Sequence, residues 1–188
     1  MTGHGTIWDM AVESAAIYLG APTAFLQALK DAALPYDLRH HEPARHARHL
    51  AALWNIPLPE AGRATLFAAD GVPVLALVPA DRKVSAPRLR DFLGVTDLRV
   101  LRGDRGVGRA GWHGLPGDPG ALPAVPDLYG ARSLVEARVL DLARVVISLQ
   151  PGQSVGLSPA DYTRLAQATI APFTGSTRLL PEGGMITE

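Results

Sequence analysis

The residues with the most chemical potential lie between Gly103 and Gly120, where glycine and proline recur around Trp112 and His113. Glycine lets backbone approach a ligand closely, and long loops inside compact domains are usually functional or disordered. This segment therefore reads as a functional loop or as an ordinary long turn. Trp112 offers a platform on which a base can stack, or a plug for the core; His113 offers an acid or base near neutral pH, or a solvated side chain. A second concentration is His40, His41, His46 and His49. His46 and His49 stand three apart on an expected helix, but no acid completes a zinc spacing, so no metal is expected. Gly106-Val107-Gly108 with Gly111 is half of a dinucleotide fingerprint and lacks the strand, helix and later acid that would complete it. Neither Ser148 nor Ser154 sits in a Gly-x-Ser-x-Gly elbow, which argues against a Ser/His/Asp hydrolase. The absence of cysteine removes disulfides, thiolate nucleophiles and zinc-thiolate centres, and no cofactor is expected.

The elements that must position these residues follow from patterning. With 188 residues, 47% of them hydrophobic, the chain suits one α/β domain with a substantial core. Eighteen basic residues balance eighteen acidic ones, so any RNA contact must be a local patch. No basic leader with an apolar run and no membrane-length apolar window occurs, which sets the expectation of a cytoplasmic protein. Thr6 to Leu19 reads as an amphipathic helix ended by Gly20, and Thr23 as the cap of a second helix stopped by Pro35. Tyr36 to His40 reads as a strand and Ala44 to Trp54 as a helix. Ala64 to Ala69 and Val72 to Val78, separated by Asp70-Gly71, form the clearest hairpin signal. Further expectations are a helix at Arg88 to Leu93 and strands at Leu98 to Leu101, Ala124 to Tyr129, Arg144 to Leu149 and Ser154 to Leu157. Ser133 to Leu140 reads as a short helix or turn. Ser158-Pro159-Ala160-Asp161 starts a closing helix expected to reach Thr169, and a polar tail follows.

The order and the motifs resemble the YbaK-like aminoacyl-tRNA editing superfamily over about residues 23 to 170. Leu34 to Pro43 is similar to the family's strand ending in a His-x-Pro-like turn. Arg63-Ala64-Thr65-Leu66-Phe67 with Asp70-Gly71 stands where the family has a Lys-Thr-Leu strand and hairpin, Gly108 to Pro119 where it has a Gly-x-x-x-Pro loop, and Leu157 to Tyr162 resembles its closing Leu-Ser-Pro-x-Asp-Leu helix start. The resemblance implies a mixed sheet or partial barrel surrounded by helices, with a helical extension at 1–22, an editing domain at 23–172 and a tail at 173–188. It also implies metal-free hydrolysis in trans of the ester of a mischarged tRNA, such as Ala or Cys on prolyl-tRNA. Its partners would be that tRNA and an aminoacyl-tRNA synthetase, with neither DNA nor membrane.

Carried over position by position, the resemblance assigns the carbonyl-holding amide to Gly111 with Pro116 or to Gly114 with Pro119. It lets Trp112 stack on the terminal adenine with His113 beside it, and places His41, Thr65 and Ser148 at the pocket. The family's lysine falls on Ala64, which has neither charge nor donor. Arg63 is adjacent, but in a strand it points to the other face unless a bulge intervenes. Where some relatives have an Asp after the serine strand, this chain has Ser154. These two departures support an alternative, a catalytically degenerate domain serving as a binding or regulatory module.

Overall fold

Asp70 and Gly71 take positive φ values of 46° and 83°, the backbone of a tight two-residue hairpin turn. They join β2 (Gly62–Ala69) to β3 (Val72–Pro79) in an unbroken register from Gly62↔Pro79 to Ala69↔Val72. The Asp70 carboxylate accepts the N–H groups of Thr96 and Asp97, at 3.2 and 2.7 Å, which ties the hairpin tip to the chain entering β4 (Leu98–Val100). The computed structural model describes residues 20–101 and 123–175.

Two sheets carry the described strands. The larger has the order β4-β2-β3-β5-β8, with β5 (Arg132–Glu136) and β8 (Thr169–Ala171) added in parallel. The smaller is antiparallel and places β7 (Gln153–Leu157) between β1 (Tyr36–His40) and β6 (Val145–Gln150). A parallel bridge, Ala61↔Val146, brings the sheets edge to edge without closing a barrel. The expected mixed α+β architecture is therefore present.

The main core lies between the sheets. Leu77 and Val135 of the larger meet Val145, Ile147, Leu149, Val155 and Leu157 of the smaller, and Phe25 and Leu29 of α1 (residues 20–31) close one end. Each wholly buried aliphatic side chain contributes about 1.5–3 kcal/mol. On the outer face of the larger sheet, Val74, Ala76 and Val78 pack against Leu89 of α3 (Ala86–Leu93) and against Phe173. On the outer face of the smaller, Val146 packs against Leu50 and Trp54 of α2 (Ala47–Trp54). A Cβ at Gly156 would stand 2.9 Å from the Trp54 ring, so this helix can lie where it does only over glycine.

Several local expectations fail, each for a physical reason. Gly20 is itself helical and Thr23 lies inside α1 rather than at its start, because Ala21 and Ala24 favour continuing the helix. Ala124 to Tyr129 is not a strand. Pro126, which has no N–H for a ladder, opens a 3-10 turn (Pro126–Tyr129) that Gly130 closes at φ 56°. Ser133 to Leu140 begins instead as strand β5, whose Leu134 and Val135 are buried on opposite faces; a strand covered on both sides lacks the alternation that marks half-exposed ones. The closing helix α4 (Pro159–Leu165) ends short of Thr169, because Gln167 turns left-handed at φ 46° to send the chain into β8. Ser158 makes no side-chain cap there. Beyond β8 the buried Glu136 carboxylate accepts the N–H groups of Phe173 and Thr174 at 2.7 and 2.8 Å, so the packed unit continues to the last described residues.

Candidate functional site

Alternation along β2 sorts its residues into two sets. Gly62, Ala64 and Leu66 face the space between the sheets: a Cβ at Gly62 would meet Leu77, Ile147 and Val145, Ala64 packs against the main core, and Leu66 against Leu75 and Tyr129. Arg63, Thr65 and Phe67 take the other face. No bulge interrupts β2 against β3, so Arg63 does not reach the place of Ala64, and Thr65 stands with Arg63 rather than with Ala64.

The described residues on either side of the Gly/Pro segment meet on this inner face. Leu101, the last described residue before it, donates its N–H to the Leu66 carbonyl at 2.9 Å and packs beside Ala64 and Leu128. On return, the Pro123 carbonyl accepts the Tyr129 hydroxyl at 2.9 Å, and the Ala124 carbonyl accepts the Tyr162 hydroxyl at 2.9 Å. Ala124 N–H donates to the carbonyl of Ser148, also at 2.9 Å. Burial pushes the Tyr162 phenol well above its ordinary pKa, which keeps it a neutral donor. These anchoring tyrosines were missed in the sequence; the available signal was that a buried tyrosine needs a partner for its hydroxyl. Gly111, Trp112, His113, Gly114 and Pro116 lie outside the described residues.

Ser148 stands directly across the ladder from Ser154. Both follow the alternation of Val146 and Gly156 towards Trp54, whereas Ile147 and Leu149 face the main core with Ala64. Ser148 thus offers its carbonyl to the Ala124 N–H, while its side chain belongs to another cluster. There the wholly buried Ser154 hydroxyl accepts the Trp54 indole N–H at 2.6 Å and lies 2.6 Å from His41 Nε2. His41 Nδ1 is 2.6 Å from the Glu42 carbonyl, which can only accept, so Nδ1 carries a proton; in the neutral ring Nε2 then accepts the Ser154 hydroxyl hydrogen. Both ring nitrogens of His41 are therefore engaged, and a ligand would reach the imidazole only by displacing Ser154. Trp54 and Ser154 are 100 residues apart, and no local pattern announced their bond.

The remaining histidines serve the start of α2. His46 Nδ1 accepts the N–H of His49 at 3.0 Å, His49 Nδ1 accepts that of Arg45 at 3.2 Å, and His49 Nε2 lies 3.2 Å from Glu42. Arg63, half-buried, donates to the backbone carbonyl of Arg82 on the far side of the sheet from Ala64.

No family model and no curated protein matches the sequence. Solved structures do match. A proposed trans-editing enzyme for prolyl tRNA synthetase superposes with a TM-score of 0.64 at 17% identity, covering 86% of this chain and 97% of its own. A hypothetical protein gives 0.63 at 18% identity, over 79% of this chain and 97% of its own. A proposed signal transduction protein from Marinobacter aquaeolei VT8 gives 0.55 at 22% identity, over 80% of this chain and 30% of its own. The fold is shared with these proteins. No helix among the described residues is long and apolar enough to cross a membrane.

Proposed function

We propose, from the YbaK-like fold this chain shares with an editing-enzyme structure, that it is an aminoacyl-tRNA deacylase acting in trans on a small mischarged amino acid, such as Ala or Cys on prolyl-tRNA. The observation that carries this reading is the anchoring of the described residues that flank the Gly/Pro segment, Leu101 by Leu66 on one side and Pro123 and Ala124 by Ser148, Tyr129 and Tyr162 on the other. A loop so fastened can present backbone N–H groups, from Gly111 or Gly114, to the ester carbonyl. Water adds to the carbonyl carbon and the carbonyl oxygen becomes the oxyanion those amides hold. Collapse breaks the bond to the ribose oxygen, which leaves with a proton from the attacking water. The free amino acid and free tRNA result. Ala64 supplies neither charge nor donor, so positioning falls to the loop and to the terminal ribose hydroxyl. Ser148 acts as a positioning residue through its carbonyl, and Trp112 with His113 would meet the terminal adenosine.

The apolar surroundings of Ala64 favour one competing reading, a binding module that has lost turnover. Deacylation of alanyl- and cysteinyl-prolyl-tRNA, measured against a protein-free control, separates the two. Turnover above spontaneous hydrolysis is the expected result, and its absence on every pair tried with folded protein overturns the deacylase reading. Ala64→Lys restores a charge-assisted donor and is expected to raise kcat/KM about 10- to 100-fold, the kinetic equivalent of about 1.5–3 kcal/mol.

A further inference from the structure

On the outer side of β2, the turn leaving β3 and the first turn of α2 enclose a cleft of about 360 Å³ lined by Arg48, Arg63, Arg82 and Lys83, with His46 and Asp81. The whole chain has no net charge, so four cationic side chains against one carboxylate is a local concentration. The single acid is committed to a neighbour, with Asp81 lying 3.7 Å from Arg82 Nε. Arg63 is half-buried, its guanidinium bonded to a neutral carbonyl. Burial lowers its pKa from the ordinary value, and the charge of Asp81 opposes that only in part. Exposed Arg48 and Lys83 have no acidic partner among the described residues.

The placement of Arg48 is adverse on its own. The first turn of a helix favours acids, yet α2 has none there and puts a cation at its second residue. Partial desolvation at Arg63 and unpaired cations at the rim, one of them Arg48 at a helix start, are electrostatic costs that one anion in the cleft would offset. Guanidinium groups match the oxygens of a phosphate bidentately, and a mixture of Arg and Lys with no Trp, Tyr or Phe in the lining suits phosphate better than a base.

We propose that this cleft is a phosphate-binding site and that its occupant is the backbone of an RNA strand. The choice of RNA over a small phosphorylated ligand rests on the deacylase reading; the anion chemistry does not. Cations at both floor and rim fit consecutive phosphodiesters of a strand better than one compact anion.

The test is fluorescence anisotropy of a labelled tRNA acceptor-stem hairpin, titrated between about 50 and 200 mM salt, a range in which phosphate contacts change affinity steeply. Wild type is compared with the Arg48→Ala/Lys83→Ala double variant, whose folding is checked by Tm. The double variant is expected to bind about tenfold more weakly at the lower salt, with the log–log salt slope reduced by about two. Unchanged affinity and slope overturn the site. A parallel titration uses diphosphate as probe: micromolar diphosphate binding by a wild type that does not bind the hairpin overturns RNA as the occupant. Deacylation is assayed on the same pair. Turnover with an unchanged KM in the double variant overturns the cleft and leaves the deacylase standing. Salt-sensitive RNA binding without turnover upholds the cleft and overturns the deacylase.

Discussion

The two ends of α2 spend their polar groups in opposite ways. At the C-terminal end Trp54 donates to Ser154, Ser154 to His41 and His41 to the Glu42 carbonyl, while Arg39 stacks over the Trp54 ring at 4.1 Å and donates to the Trp54 carbonyl at 3.3 Å. Every group in that chain has a partner, and Arg39 places positive charge where the helix dipole is negative. At the N-terminal end the helix meets Arg48 and Lys83, which have no acidic partner among the described residues, and a guanidinium at Arg63 partly withdrawn from water. A serine, a histidine and a tryptophan in contact resemble a site, yet their hydrogen-bonding capacity is used up in holding helix to sheet. The cleft looks less like chemistry in the sequence, but its charge is left uncompensated. Unspent interaction capacity, more than the presence of reactive residue types, separates a surface that can bind from one that only holds the structure together.

Substitutions can break this contrast, beginning with the largest effect. Trp54→Ala removes the ring between α2 and the smaller sheet, and unfolding in denaturant is expected to show a loss of about 3–5 kcal/mol. A loss under 1 kcal/mol, on the same order-of-magnitude scale, would mean that α2 is held elsewhere. Ser154→Ala strands the indole N–H and the His41 lone pair together, at an expected cost of about 1–3 kcal/mol in the same measurement. Arg48→Glu should have the opposite sign. An acid in the first turn favours α2 by about 0.3–1 kcal/mol, so the midpoint should rise while RNA affinity falls. A midpoint that falls with affinity would make Arg48 structural.

The smallest effect lies away from α2. Hydrogen bonds from the Asp97 and Thr96 backbone hold the Asp70 carboxyl below its ordinary pKa, with the Asp97 bond the largest cause. Its contribution is thus present above the unfolded carboxyl pKa, near 4, and fades as pH falls through the lower folded value. Asp70→Asn should flatten the acid limb of the stability profile and leave neutral pH nearly unaffected. An acid limb identical to wild type would show that Asp70 carries none of it.

Much of the fold was legible because its signals are local. Asp70-Gly71 demands a tight turn, the runs around it alternate or are β-prone, and β1 was readable from Tyr36 to His40. The last third was less legible. β5 is buried on both faces and so has no period of two, and the 3-10 turn at Pro126 borrowed the apolar composition of a strand. At the candidate site, the resemblance set Ala64 at the family's lysine position as an expectation, because resemblance concerns order along the chain. Its separation from Ser148 was not readable, since each strand's facing depends on which sheet it joins and on which side the core forms.

Local sequence was enough for the class of fold, for the hairpin that organises it and for the exclusion of thiolate chemistry in this chain. Each is a property of one residue type or of neighbours within a few positions. Three-dimensional packing was needed to show that the Ser148 carbonyl accepts the Ala124 N–H, that Ser154 is shared between Trp54 and His41, and that Arg48, Arg63 and Lys83 meet in one cleft. Those are contacts between residues tens of positions apart. They exist because two sheets pack over one core and leave their outer faces to different helices, which no short-range pattern encodes.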